Sequence, residues 1–81
     1  MISEHATTEP TDGGTLTRRT WAAGEHRVEL WEYLVDGKVV ERGLDAFLPV
    51  EGISIGSDEA RDAARLLLMG ADALEAAGGP I

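Results

Sequence analysis

Two side chains in this 81-residue chain, His5 and His26, are of the type that serves as a general base near neutral pH, and cysteine is absent. A general base needs a partner that orients it and a cleft that admits substrate. Neither histidine has a sequence neighbourhood that offers this. His5 lies in a polar N-terminal stretch, and His26 falls at a hairpin edge opposite Trp21, where an exposed turn histidine is expected. Ser3, Ser54 and Ser57 lack the strand–turn–helix setting of an activated serine, and Ser57 (or Asp58) is expected to cap the helix. Glu29, Glu32 and Glu41 could pair carboxylates for acid–base work, but any acidic sheet supplies such pairs. No His, Asp or Glu grouping has metal-ligand spacing, and Gly56-Ser57-Asp58-Glu59 puts two acids where a helix N-terminus would hold a phosphate. The expectation is a protein that is not an enzyme and carries no catalytic residue, cofactor or metal.

Charge narrows the partners. Seven basic residues against fifteen acidic ones give −8, whereas duplex nucleic acid or an anionic membrane calls for clustered Lys and Arg. The longest unbroken apolar run, Leu66 to Met69, is far too short to span a bilayer, and Met1 to Gly14 has neither the basic start nor the apolar stretch of a signal peptide. The chain therefore reads as cytoplasmic. A domain this small buries only about 60% of its unfolded surface, and no disulfide can supplement its core.

The elements follow from periodicity. Residues 1–14 (MISEHATTEPTDGG) hold three acids, no Lys or Arg and little apolar surface, and read as a disordered acidic tail. A single α+β domain is expected over 15–78, with 79–81 as a stub. Thr15–Trp21 and His26–Val35 alternate and are rich in β-branched and aromatic residues, with a hairpin around Ala23-Gly24; Asp36-Gly37 then marks a type I′ hairpin into Lys38–Arg42. A two-residue loop there pairs Leu34 with Val39, Tyr33 with Val40 and Trp31 with Arg42, a cation–π opportunity, and sets Glu32 against Glu41. The first hairpin, in the same register, puts Arg18 opposite Glu29 and Leu16 opposite Trp31. From Gly43 to Gly56 either the third strand continues through a bulge or a short fourth strand forms at Ile53-Ser54-Ile55. The fold class is an antiparallel sheet of three or four strands with one C-terminal helix, from about Asp58 to Ala77, packed on one face.

Two surfaces exceed what one helix can cover. The central strand is apolar on both sides, with Val28, Leu30 and Leu34 on one and Trp31, Tyr33 and Val35 on the other. At 100° per residue the helix shows one stripe of Ala60, Ala63, Ala64, Leu67, Ala71 and Leu74, expected on the sheet. A second stripe, Leu66, Met69, Ala73 and Ala76, has the spacing of a helix–helix seam. Gly70, mid-helix, suits a close backbone approach. The candidate interface is that second stripe together with Trp31, Tyr33 and Arg42. Its competing reading is burial under residues 43–56 of the same chain, just as the aromatics could lie flat on an ordinary monomer surface.

The stretch ISIGSDEARDAARLLLMGADALEAAGG resembles the strand, cap and alanine-rich helix that close many small proteins of unassigned function from high-GC actinobacteria and their phages. Six Arg against one Lys fit such a genome. The resemblance covers about a third of the chain, implies a source and transfers no functional residue. The functional expectation is a protein-interaction module, a homodimer or an accessory subunit whose partner is itself or an unidentified protein. The alternatives are an acidic modulator of a nucleic-acid-handling machine, by mimicry or by stacking single strands on the Arg/Trp hairpin face, and a small-molecule-binding module.

Overall fold

The computed structural model describes residues 1–48 and 54–81. It holds four strands, β1 (Ser3–Thr11), β2 (Gly14–Ala23), β3 (His26–Val35) and β4 (Lys38–Phe47), followed by one helix, α1 (Ser57–Ala76). The strands form one antiparallel meander in the order β1-β2-β3-β4, and α1 lies across β2, β3 and β4 on one face. The architecture is α+β, as the change of hydrophobic period requires.

The first correction concerns the N-terminus. Residues 3–11 do not form a tail: they are β1, paired with β2 along its whole length from Ser3 against Ala22 to Thr11 against Gly14. Asp12-Gly13 makes the turn, with Gly13 at φ +80°, through the same Asp-Gly chemistry that closes the third hairpin. β1 is exposed throughout, so apolar burial does not hold it. Backbone pairing does, helped by Glu4, which accepts hydrogen bonds from Arg19 Nε at 3.0 Å and Trp21 Nε1 at 2.9 Å. Pro10 and the charges of Glu4 and Glu9 blunt this outer edge against pairing with other chains.

Both hairpin registers differ from the simple extrapolation. At the first, Gly24-Glu25 is the loop, so Ala23 faces His26, Trp21 faces Val28, Arg18 faces Trp31 and Leu16 faces Tyr33. The shift of two keeps every residue on its expected face, and Arg18 still reaches Glu29 diagonally at 3.3 Å. At the second, Asp36 (φ +52°) and Gly37 (φ +77°) form the expected turn, and Val35–Lys38 and Leu34–Val39 pair as anticipated. A bulge then offsets the strands by one: Tyr33 faces Glu41, Glu32 faces Arg42, Trp31 faces Gly43 and Leu30 faces Leu44. The bulge removes the Glu32–Glu41 clash and replaces it with a Glu32–Arg42 pair at 2.7 Å. It also turns Arg42 away from Trp31, so the expected cation–π contact does not form. The rings that do carry a guanidinium are Trp21, under Arg19 at 4.7 Å, and Phe47, under Arg27 at 4.1 Å. The alternative short strand at 53–55 lies partly outside the described residues, and Ser54 and Ile55 are not in a strand.

The helix is turned relative to expectation. Leu66 and Gly70 are buried and Met69, Ala73 and Leu74 pack beside them against Trp21, Val28 and Leu30. Leu67 is 41% exposed, and Ala60, Ala64 and Ala71 face out. The stripe expected to meet a partner is therefore core apart from exposed Ala76, while of the stripe expected on the sheet Leu74 does pack on the core and Ala63 is half-buried, and Ala60, Ala64, Leu67 and Ala71 point to solvent. Gly70 explains the choice. A Cβ there would stand 2.5 Å from Val28 Cγ1 and 3.0 Å from Leu44 Cδ1, so the helix backbone touches the sheet at the one position without a side chain. Ser57 is the first helical residue, not the cap: Gly56 is the N-cap and no side chain caps the first turn. The other end closes as a Schellman motif, with Gly79 N–H donating to Leu74 O at 2.9 Å and Gly78 N–H to Glu75 O at 3.1 Å.

Two expectations follow. Gly70→Ala gains about 0.8–1.0 kcal/mol of helix propensity but overpacks a site bounded by fully buried Val28, so urea unfolding should show a net loss of about 1 kcal/mol; in a Val28→Ala background the same change should be neutral or stabilising. Secondly, hydrogen bonds from Arg19 and then Trp21 hold the Glu4 carboxyl below the usual carboxylate range. Its contribution is complete above that range and is lost as pH falls through the lowered value. The Trp21 indole N–H resonance should titrate there, and Glu4→Gln should unfold without this acid-dependent component.

Candidate functional site

His26 is not an exposed turn residue. Its register position next to the Gly24-Glu25 turn puts the ring on the helix side of the sheet, 3% exposed, with Nε2 2.7 Å from Glu59 Oε2 in the first turns of α1. The carboxylate calls for the proton on Nε2. Nδ1 is buried and has no hydrogen-bond partner among the described residues. One ring nitrogen is thus engaged by Glu59 and the other is buried within the fold. The pair ties the β2–β3 turn to the helix start beside an open cleft of about 320 Å³ that Glu25 and Asp62 also line. Among the described residues no three His, Asp or Glu side chains converge as metal ligands.

The other chemical candidates are dispersed. His5 is exposed on β1, and Ser3 and Ser57 are exposed as well. Glu29 pairs with Arg18 and Glu32 with Arg42. Successive alternation puts those two carboxylates on opposite faces of β3, so they cannot act on one substrate.

The residues expected at an interface divide three ways. Leu66 is fully buried, and Met69 and Ala73 are half-buried against the sheet; only Ala76 of that stripe is exposed. Arg42 sits on the helix side, where its Nε donates to Glu32 and its Nη1 to Gly79 O at 3.0 Å, fastening the end of the chain behind α1. Trp31 and Tyr33 lie on the face that α1 leaves bare. They do lie flat, but on glycines. A Cβ on Gly43 would meet Trp31 Cζ2 at 2.6 Å, and one on Gly14 would meet Tyr33 Cζ at 2.8 Å. Tyr33 Oη also donates to Asp12 O at 3.0 Å, pinning the β1–β2 turn. With Leu16 and Val35, also half-buried, the rings make a low apolar platform. Arg18, which pairs with both Glu9 and Glu29, borders it.

Sequence reading misses the outer helix face. Leu68 is 64% exposed, with Ala64, Leu67 and Ala71 around it. The run Leu66-Leu67-Leu68 makes the helix phase ambiguous by apolarity alone. Charge would have resolved it, because Arg61, Arg65, Asp72 and Glu75 share the Leu68 side whereas Ala63, Leu66, Gly70, Ala73 and Ala77 share a side with few charges.

Comparison with family models, with curated proteins and with solved structures finds no match to this chain.

If the His26–Glu59 pair is a structural clamp, Glu59→Ala should leave the buried imidazole without its partner and cost about 1–2 kcal/mol in denaturant unfolding. Asp58→Ala, which removes another first-turn carboxylate but one that faces water, should cost clearly less than Glu59→Ala.

Proposed function

We propose that the protein is a non-enzymatic interaction module that works as a homodimer or as an accessory subunit. The observation that carries this reading is a sheet that, among the described residues, α1 covers on one face only, with Leu16, Trp31, Tyr33 and Val35 forming a flat apolar platform on the other. A flat face suits a protein surface better than a small ligand, which binds in concave pockets. Protein is favoured over nucleic acid as the partner because the arginines needed to stack single-stranded bases are engaged: Arg18 by Glu9 and Glu29, Arg19 by Glu4, Arg27 over Phe47. The −8 charge keeps such a chain dispersed until it meets its partner. The reading takes the chain as cytoplasmic; no helix among the described residues is long and apolar enough to cross a membrane.

The test combines sedimentation of the purified chain over a range of concentrations with affinity capture against a Trp31→Arg control shown by circular dichroism to be folded. The expected result is a mass above that of one 8.6 kDa chain, or a captured protein that the control does not hold. A chain that sediments alone and captures nothing the control lacks overturns the proposal.

A further inference from the structure

The face of α1 turned away from the sheet carries an ordered charge pattern. Arg61, Arg65, Leu68, Asp72 and Glu75 follow one another at spacings of 4, 3, 4 and 3, the period that keeps side chains in line along one side of a helix and in register with a second helix. Read along the axis, the line is two cations, an exposed leucine and two anions. Reversed in direction, it becomes its own complement. Ala64 and Ala71 stand on either side of Leu68, both exposed, and small residues there let two helix backbones approach.

From this pattern we infer that a second copy of the chain docks on α1, the two helices antiparallel about a two-fold axis at Leu68. Arg61 then lies beside Glu75 of the second copy and Arg65 beside Asp72 of the second copy, and symmetry repeats both pairs. The inference rests on the interaction-module reading, names a second copy as partner, and places that contact on α1 rather than on the sheet platform.

Three observations favour this occupant. Asp72 and Glu75 have no ion-pair partner among the described residues, while Arg61 and Arg65 reach only Asp58 at 3.3 Å and Asp62 at 3.7 Å, with both guanidinium arms two-thirds exposed. Exposed pairs of that kind contribute little and are readily exchanged. The apolar centre, Leu68 at 64% and Leu67 at 41% exposure, has no cover among the described residues. Finally, the chain presents 5376 Å² of surface where a compact monomer of its mass presents ~4,700 Å². The excess is close to the ~800 Å² that each partner buries in a standard interface. The open sheet face lacks the charge argument, since its arginines already pair within the chain.

Sedimentation equilibrium on the full chain tests the contact, with circular dichroism confirming that each variant folds. Wild type is expected at twice the mass of the 8.6 kDa chain. Leu68→Glu, the double variant Arg61→Glu/Arg65→Glu and the double variant Asp72→Arg/Glu75→Arg should each dimerise at least about tenfold more weakly. Mixed in equal amounts, the two double variants should form a heterodimer, because all four pairs are then of opposite sign. A monomeric wild type overturns the inference. So does a wild type that dimerises while Leu68→Glu and both charge variants dimerise equally well; in that case the contact lies elsewhere and the interaction-module reading survives.

Discussion

The contact between the backbone of α1 at Gly70 and the side chains of Val28 and Leu44 sets the geometry of the rest. With no Cβ in the way, the helix settles on the centre of the sheet, and that seating fixes its rotation. Leu66 then joins Trp21 and Val28 in the buried core, Glu59 comes within hydrogen-bonding distance of His26, and the chain end is brought to Arg42. Each of these ties is modest. They act together because a helix held at its middle and fastened at both ends has no freedom left to roll.

The same device recurs on the opposite face. Trp31 and Tyr33 each rest on a glycine of a neighbouring strand, so large rings cover backbone that would otherwise be wet and the face stays smooth. Glycine thus serves two purposes in this sheet and helix: it admits the helix on one side and accommodates aromatic rings on the other. A molecule of this mass with one helix cannot cover both sheet faces, and its radius of gyration of 14.1 Å exceeds the ~12 Å of a compact domain of its length. Among the described residues the platform and the outer helix face are left without an element packed on them.

The element types were legible because they rest on local rules. Asp36-Gly37 dictates positive φ at two successive residues, and the antiparallel core strands and the terminal helix follow from period. What failed depended on comparing near-equal alternatives. β1 escapes a reading by hydrophobic pattern because its residues bury nothing, although Asp12-Gly13 repeats the turn signal seen at Asp36-Gly37. The Glu32–Glu41 discord was legible as a problem, and the bulge that resolves it was not, since one inserted residue changes partners on only one side of Val40. His26 looks exposed because it stands beside a turn, yet it shares parity with Val28 and Leu30, which puts the ring on the helix side of the sheet, and only the seating of α1 brings Glu59 over it.

The sequence alone determined that this is a small acidic α+β chain without thiol chemistry or a clustered basic surface, because composition and short-range backbone preferences are properties of the residues themselves. Only the tertiary structure decided which of two leucine-bearing stripes on α1 became core. Leu66 and Leu67 have the same side chain and the same propensity, so nothing local separates them. The choice was made by Gly70, whose missing Cβ is worth nothing until a sheet carrying Val28 and Leu44 is brought against it.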